Sequence, residues 1–99
     1  MRVIALSRLR ECWTRLGHHG LEDLLRAWFR EVEKADWNST ADLKARYASA
    51  SFLSDNRVCF NLGGNKYRVI ALVFYERRLV YVRFAGSHEE YDRIDADPV

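Results

Sequence analysis

The first third of the chain carries two successive runs of apolar residues at helical spacing. The first recurs at i, i+3, i+4 and i+7 and consists of Leu9, Cys12, Trp13 and Leu16. The second consists of Leu21, Leu24, Leu25, Trp28, Phe29 and Val32. We expect Ser7 to cap the first helix and Gly17 or Gly20 to end it, because hydroxyl side chains favour helix starts and glycine favours helix ends. The pattern predicts a helical hairpin whose apolar side lies on a flat partner.

The second half of the chain changes to the period of β-strands. Residues 57–62 and 79–85 alternate between apolar and polar positions, whereas residues 67–75 are nearly all apolar, as in a central strand covered on both faces. The intervening residues 63–66 and 76–78 have the length of hairpin loops. A short apolar run at residues 2–6 predicts one more strand, at an edge.

Two shorter helices complete the predicted order. Ser39 and Asp42 have the spacing of a capping box, and Ser87 is placed to cap a last helical turn. The small residues 48–51 have no strong pattern and are interpreted as a connection. The order β-α-α-(α)-β-β-β-α predicts an α+β fold. We expect an antiparallel sheet of about four strands, with the helical hairpin on one face, the other face open, and a short C-terminal helix.

Length and composition agree with one globular domain spanning residues 1–99. Apolar residues make up 48% and charged residues 30% of the chain, which excludes a disordered or collagen-like protein. No apolar run approaches the ~20 residues needed to cross a bilayer, and charge comes too early for a signal peptide. The two cysteines are too few for a disulfide scaffold. We expect a cytoplasmic protein that does not bind membranes.

Charge is unevenly distributed although the net charge is only +2. From residue 56 to residue 88, six cations face one acid, a net charge of +5, and from residue 89 to the end five acids face one cation, a net charge of −4. This contrast suggests a surface that faces a polyanion, beside an acidic border. An ordinary solvated sheet face is an equal alternative. The six cations are Arg57, Lys66, Arg68, Arg77, Arg78 and Arg83.

Common cofactor and metal motifs are absent from the sequence. It contains no P-loop, no dinucleotide-binding glycine motif, no H-E-x-x-H and no C-x-x-C. We interpret His18 and His19 as residues of a helix end, and Cys12 and Cys59 as packing residues. The sequence therefore predicts no metal and no cofactor.

The remaining polar residues could cleave RNA without a metal. That reaction needs a base for the 2′-hydroxyl, cations for the pentacovalent phosphorane and an acid for the 5′-oxygen. His88 and Tyr91 lie at i, i+3, and histidine titrates near neutrality, whereas tyrosine becomes a base only if cations lower its pKa. Lys66, Arg68 and Arg83 could do so and hold the phosphate. Alternatively, these residues only pack, or bind a polyanion without chemistry.

Nearly the whole sequence resembles the HigB family of type II toxins, in the RelE/ParE superfamily. The similarity is most specific in the two blocks F-N-L-G-G-N-K-Y-R, at residues 60–68, and H-E-E-Y-D, at residues 88–92. It extends to the blocks at residues 25–29, 34–37 and 56–58. The resemblance implies a RelE-like fold and an endoribonuclease that cleaves mRNA in the decoding site of the 70S ribosome. The product would be a 2′,3′-cyclic phosphate, formed without a metal.

The resemblance also implies partners and residue roles. A HigA-type antitoxin with a helix-turn-helix domain would neutralise the toxin and repress the operon, so operon DNA would be contacted only through the antitoxin. Lys66 and Arg68 match the basic pair that would hold the phosphate, with Arg83 adding charge. His88 and Tyr91 match the residues for proton transfer, in an order left open. The further candidates for RNA contact are Arg57, Asn61, Arg77 and Arg78, together with Lys66.

Two other interpretations remain open at this point. The same superfamily includes ParE-like toxins that poison DNA gyrase without catalytic residues, and a family member could have lost its activity. A +5 surface neutralises only about four or five phosphates, each adding about −0.7 to the salt slope on single strands. Binding of the protein to free mRNA should therefore be weak, which favours dependence on the ribosome. A substrate positioned by the ribosome would need less orienting by the protein.

Overall fold

The computed structural model describes residues 1–94. In this part the fold has four helices and five strands, and the predicted α+β class is confirmed. The helices are α1 (Leu6–Leu16), α2 (Leu21–Lys34), α3 (Thr40–Arg46) and α4 (His88–Asp92). The strands are β1 (Arg2–Ile4), β2 (Ser51–Phe52), β3 (Arg57–Leu62), β4 (Tyr67–Phe74) and β5 (Leu79–Ser87). Asp95 and Asp97 of the predicted acidic tail lie outside the described residues.

The strands form one mixed sheet in the order β1-β5-β4-β3-β2. The predicted meander of β3, β4 and β5 is antiparallel, and β1 joins its edge parallel to β5, with Val3 opposite Val80. The fifth strand, β2, was not predicted. It is only two residues long and both are exposed, so it carries no alternating pattern to detect.

The core lies between the helical hairpin and one face of the sheet. The predicted stripes are buried there, through Leu9 and Cys12 of α1 and through Leu21, Leu25, Trp28 and Val32 of α2. Trp28 packs edge-on against Phe60 of β3, with ring centroids 5.2 Å apart. The alternating strands supply the opposite side with Val58, Phe60, Val69, Val73, Val80 and Val82. This layer fixes the sheet that carries the candidate site.

Helix starts were predicted with mixed success. Ser39 does cap α3, because its hydroxyl accepts the backbone N–H of Asp42. The prediction that Ser7 caps α1 is wrong, since α1 already begins at Leu6 after Ala5, which has a left-handed backbone with φ 70°. This turn lets the helix follow directly on β1, and it leaves no room for a separate capping residue. Gly17 ends α1 as predicted, with φ 62°.

The sheet face away from the hairpin is less open than predicted. Ile70 of β4 and Cys59 of β3 are register partners on this face, and both are buried. The face also contains a β-bulge, where the β4–β5 register passes from Ile70–Phe84 to Ala71–Val82 and leaves Arg83 as the extra residue. Within residues 1–94, no helix combines the length and apolar character needed to cross a membrane.

Candidate active site

The start of α4 is attached to the β3–β4 hairpin. The predicted cap is confirmed: the Ser87 hydroxyl accepts the Glu90 N–H at 3.1 Å, and the Glu90 carboxylate accepts the Ser87 N–H at 3.0 Å. The N–H of His88 also donates to the backbone carbonyl of Lys66 at 2.8 Å. The short helix therefore begins directly beside the turn at Gly63 and Gly64 (the Gly-Gly turn), and it brings His88 next to Lys66.

A second attachment joins α4 to α1. The Arg15 guanidinium donates from Nη2 to Oε1 of Glu90 at 2.8 Å and from Nε to Oε2 at 3.2 Å. It is also paired with Glu11 on its own helix. The hydrogen bonds from Arg15 hold the pKa of Glu90 below its usual value, with a smaller contribution from the Ser87 N–H. Arg15 and Glu90 thus position the helix that carries His88 and Tyr91.

His88 is oriented by a carboxylate of its own helix. Its Nδ1 lies 2.8 Å from Oδ2 of Asp92, at i, i+4 spacing, and its side chain is about half exposed. This contact leaves Nε2 as the ring nitrogen available for proton transfer. The sequence interpretation placed Asp92 in the acidic tail and in the H-E-E-Y-D block, but gave it no role of its own. The i, i+4 spacing of histidine and aspartate was the signal that could have identified the pair.

A groove of about 700 Å³ opens beside this pair. His88 and Lys66 both line it, so the structure brings these two candidates together. His18 and Tyr67 line the same groove, although His18 was interpreted only as a helix-end residue. The Nδ1 of His18 lies 2.8 Å from the Tyr67 hydroxyl oxygen. These two residues are 49 positions apart, so no local sequence pattern connects them.

Arg68 and Tyr91 form a second contact on the sheet face. The Arg68 guanidinium carbon lies 5.6 Å from the centre of the Tyr91 ring, and its Nη1 donates to the Asn65 carbonyl at 2.7 Å. The Tyr91 hydroxyl is hydrogen-bonded to the buried Cys59 thiol. Arg68 of β4 and Tyr91 of α4 are therefore in contact on this face of the sheet.

The pKa of Tyr91 is raised above its ordinary value. Burial raises it, and the nearby Cys59 thiol raises it further, while the positive charge of Arg68 opposes this shift without reversing it. The condition that sequence reasoning set for Tyr91 to act as a base, a pKa lowered by nearby cations, is therefore not met. At neutral pH the phenol stays protonated, which suits it to donate a proton and not to accept one.

Arg83 and Asn61 are placed near the site but are engaged elsewhere. Arg83 sits in the β-bulge, and its guanidinium carbon lies 5.2 Å from the centre of the Tyr81 ring. Asn61 is the register partner of Arg68, yet its side-chain amide donates to the Ser49 carbonyl at 2.6 Å.

The other candidate RNA contacts lie toward the far end of the sheet. Arg57 donates to the Ser54 carbonyl at 3.3 Å. Arg78 donates to the Trp37 carbonyl at 3.0 Å and pairs with Asp36 at 2.6 Å. Arg77 and Arg78 occupy the β4–β5 hairpin, eight strand residues from the Gly-Gly turn, which is roughly 25 Å. The six cations between residues 56 and 88 therefore do not form one continuous patch in the fold.

A resident metal has no ready-made binding site in the described part of the chain. No cluster of three or more histidine, cysteine, aspartate or glutamate side chains occurs within residues 1–94. The chemistry that this part offers lies in two contacts: the oriented imidazole of His88 with Lys66 in the groove, and the protonated phenol of Tyr91 with Arg68 outside the groove lining. Such a set can move protons and stabilise negative charge.

Curated relatives carry a consistent name. The chain is 32% identical over 94 residues to the mRNA interferase toxin HigB of Escherichia coli strain K12, covering 93% of this chain and 88% of the relative. The same values hold for mRNA interferase HigB of Shigella flexneri. The chain is 23% identical over 96 residues to mRNA interferase HigB of Escherichia coli O6:H1, covering 95% of this chain and 91% of the relative.

The matching family model covers most of the chain as well. Residues 21–94 match the HigB toxin, described as the RelE-like toxic component of a toxin–antitoxin system. The matched range contains the Gly-Gly turn, Arg68, and the whole of α4 with His88 and Tyr91. Together with the relatives, this match shows that the chain belongs to the HigB toxin family.

Proposed function

We propose that this chain is an endoribonuclease that cleaves mRNA and so acts as the toxin of its toxin–antitoxin pair. The observation that carries the proposal is the His88–Asp92 pair, 2.8 Å apart, on a groove shared with Lys66. A gyrase poison needs no imidazole oriented by a carboxylate beside a cation. The relatives' name, mRNA interferase, supports the same reaction class.

The proposed reaction uses five side chains. Nε2 of His88 accepts the 2′-hydroxyl proton, with Asp92 stabilising the imidazolium. The 2′-oxygen attacks phosphorus, and Lys66 and Arg68 stabilise the charge of the phosphorane. The P–O5′ bond then breaks.

Tyr91 is the proposed source of the remaining proton. Burial and Cys59 keep the phenol protonated, so Tyr91 is the donor to the departing 5′-oxygen. The products are a 2′,3′-cyclic phosphate on one fragment and a 5′-hydroxyl on the other. Oxygen, phosphorus and protons balance without water, a metal or a cofactor.

The proposal also includes dependence of the cleavage on the ribosome. Lys66 lies beside His88 and Arg68 lies beside Tyr91, whereas Arg77 and Arg78 lie at the opposite end of the sheet. Two phosphate contacts give a salt slope of only about −1.4 on single-stranded RNA. Such weak binding suits a transcript held in place by the 70S ribosome, since a positioned substrate lowers the entropic cost of reaction.

A HigA-type antitoxin with a helix-turn-helix domain is the proposed neutralising partner, and contact with operon DNA goes through that antitoxin. The family description, a toxic component of a toxin–antitoxin system, supports an antitoxin of some kind. Since the proposed substrate is mRNA on ribosomes, the proposed site of action is the cytoplasm.

A reconstituted translation reaction tests this function. Purified protein is incubated with a defined mRNA, with and without initiated ribosomes, in buffer containing Mg²⁺ at physiological salt. We expect fragments with a 2′,3′-cyclic phosphate end only in the reactions with ribosomes, and none with His88→Ala. Efficient cutting of naked mRNA would contradict the ribosome dependence. Growth inhibition in cells without any RNA cleavage would favour a non-catalytic, ParE-like toxin or a nucleic-acid-binding module.

A further inference from the structure

The groove has a wall that the proposed reaction does not use. We infer that His18 and Tyr67 form a nucleobase-binding platform, which holds the base of the nucleotide next to the cleaved linkage. This inference rests on the proposed function, because it places a specificity subsite in the groove assigned to RNA. The two residues are called the His18–Tyr67 platform below.

The two side chains form one joined surface. Nδ1 of His18 and the Tyr67 hydroxyl oxygen are 2.8 Å apart, the ring centroids are 5.8 Å apart, and the ring planes meet at 50°. His18 is exposed and comes from the turn between α1 and α2, while Tyr67 is half-buried at the start of β4. The hydrogen bond occupies Nδ1 and leaves Nε2 of an exposed imidazole for a base edge.

Packing holds the tyrosine ring in place. A Cβ at Gly63 would lie 3.1 Å from Cδ2 of Tyr67 and 3.0 Å from Cδ2 of Leu24, so the turn backbone lies directly against the ring. Tyr67 also packs on the hydrophobic core. A preorganised aromatic side chain loses little entropy when it stacks on a base.

The position of the platform relates it to the cleavage chemistry. Tyr67 is the register partner of Ser87, the residue before His88, and neighbouring strands are about 4.8 Å apart. Lys66, the proposed phosphate ligand, is the residue before Tyr67. A phosphate held by Lys66 therefore places the adjacent nucleotide over the platform.

The chemistry of the platform fits single-stranded RNA. Unstacked bases bind by stacking on aromatic side chains, including histidine and tyrosine, and by hydrogen bonds to their edges. A second cation would have bound a phosphate without distinguishing bases. An imidazole next to a phenol can distinguish them, because Nε2 and the hydroxyl present hydrogen-bonding groups beside a π-face.

Mapping of cleavage sites in a ribosome-containing reaction tests the platform. The variants are His18→Ala, Tyr67→Phe and Tyr67→Leu, and the matched control is His19→Ala, which removes the adjacent histidine outside the groove lining. We expect wild type to prefer certain bases at one position beside the cut. His18→Ala and Tyr67→Leu should weaken that preference, and they should raise KM about 5-fold or more, as loss of one stacked base implies.

The conservative variants separate recognition from folding. Tyr67→Phe keeps the ring and loses only the hydroxyl contact with His18, so it should retain stacking and lose part of the base selectivity. Thermal unfolding of each variant identifies any that no longer folds, and His18→Ala, an exposed position, then decides the question. Cleavage by wild type and His18→Ala with identical base preferences would overturn the platform alone. No cleavage by wild type would overturn the proposed function, and the platform with it.

Discussion

Oδ2 of Asp92 lies 2.8 Å from Nδ1 of His88 across one turn of α4, so the carboxylate sets the orientation of the imidazole. Asp92→Asn keeps the shape of the side chain and removes its charge. We expect cleavage to fall on the order of 10-fold or more, because the imidazolium formed during reaction loses its partner. His88→Ala should cost about 10²–10⁴-fold, the range for one proton-transfer group. Initial rates of mRNA cleavage measure both effects.

Asp55→Asn is the matched control for the aspartate variant. Asp55 is exposed and precedes β3, at the end of the sheet away from the groove. Its φ of 55° is a conformation that asparagine tolerates. Equal losses in Asp55→Asn and Asp92→Asn would show that net charge, and not imidazole orientation, explains the effect.

Lys66 and Arg68 should respond differently to conservative changes. Lys66→Met removes the charge at the groove, whereas Arg68→Lys keeps a charge but loses the planar group that donates to the Asn65 carbonyl and stacks on Tyr91. We expect both to lower cleavage, by about 10²–10³-fold for Lys66→Met and less for Arg68→Lys. Lys34→Ala, an exposed cation in the last turn of α2, should leave the rate unchanged. Wild-type rates for both site variants would refute the assignment.

The Arg15–Glu90 contact predicts a pH-dependent stability. Glu90→Gln should lower the free energy of unfolding at pH 7 by about 1–2 kcal/mol, a value reduced for partial exposure. Because the folded pKa of Glu90 is lowered, this stabilisation is present above the unfolded pKa of about 4.3. It is lost as the pH falls through the lower folded pKa. Urea unfolding of both proteins at pH 7 and pH 3 should therefore show a difference that shrinks in acid.

Glu22→Gln controls for the loss of any exposed ion pair. Glu22 pairs with Arg26 at 2.7 Å on the surface of α2, and such pairs contribute about 0.2–0.5 kcal/mol. If Glu90→Gln costs no more than this control, then Arg15 does not hold α4 in place.

The Gly-Gly turn offers a paired test of backbone and packing. Gly63 and Gly64 have nearly equal φ values of 59° and 63°, but a Cβ meets Leu24 and Tyr67 only at Gly63. Gly64→Ala should cost about 1–2 kcal/mol from the left-handed backbone alone. Gly63→Ala should cost more, since Leu24 and Tyr67 must move. Equal unfolding free energies for the two variants would contradict the packing of Tyr67 against the turn.

The elements that were predicted correctly from the sequence are those with local patterns of residues. The stripe on α2, the alternation of β3 and the Ser87 cap involve residues close together in the chain, so spacing alone reveals them. The predicted start of α1 was wrong because Ala5 adopts a left-handed conformation that its residue type disfavours. The turn is set by the connection from β1, which no local preference encodes.

The candidate site was predictable in part for the same reason. His88 and Lys66 were both identified by sequence, but their backbone contact and the Arg15–Glu90 contact, which joins residues 75 positions apart, were not. Arg78 was grouped with the site cations by sequence, whereas the hairpin places it against Asp36. The raised pKa of Tyr91 depends on burial against Cys59, which only the packing of α4 reveals.

Mapping of RNA 5′ ends in cells tests the central claim most directly. Wild type and His88→Ala are expressed under tight control, and transcript ends are sequenced shortly after induction. We predict new 5′-hydroxyl ends within coding regions for wild type, and loss of those ends together with loss of growth inhibition for His88→Ala. The same ends in the His88→Ala cells, or growth inhibition by wild type without new ends, would contradict the account.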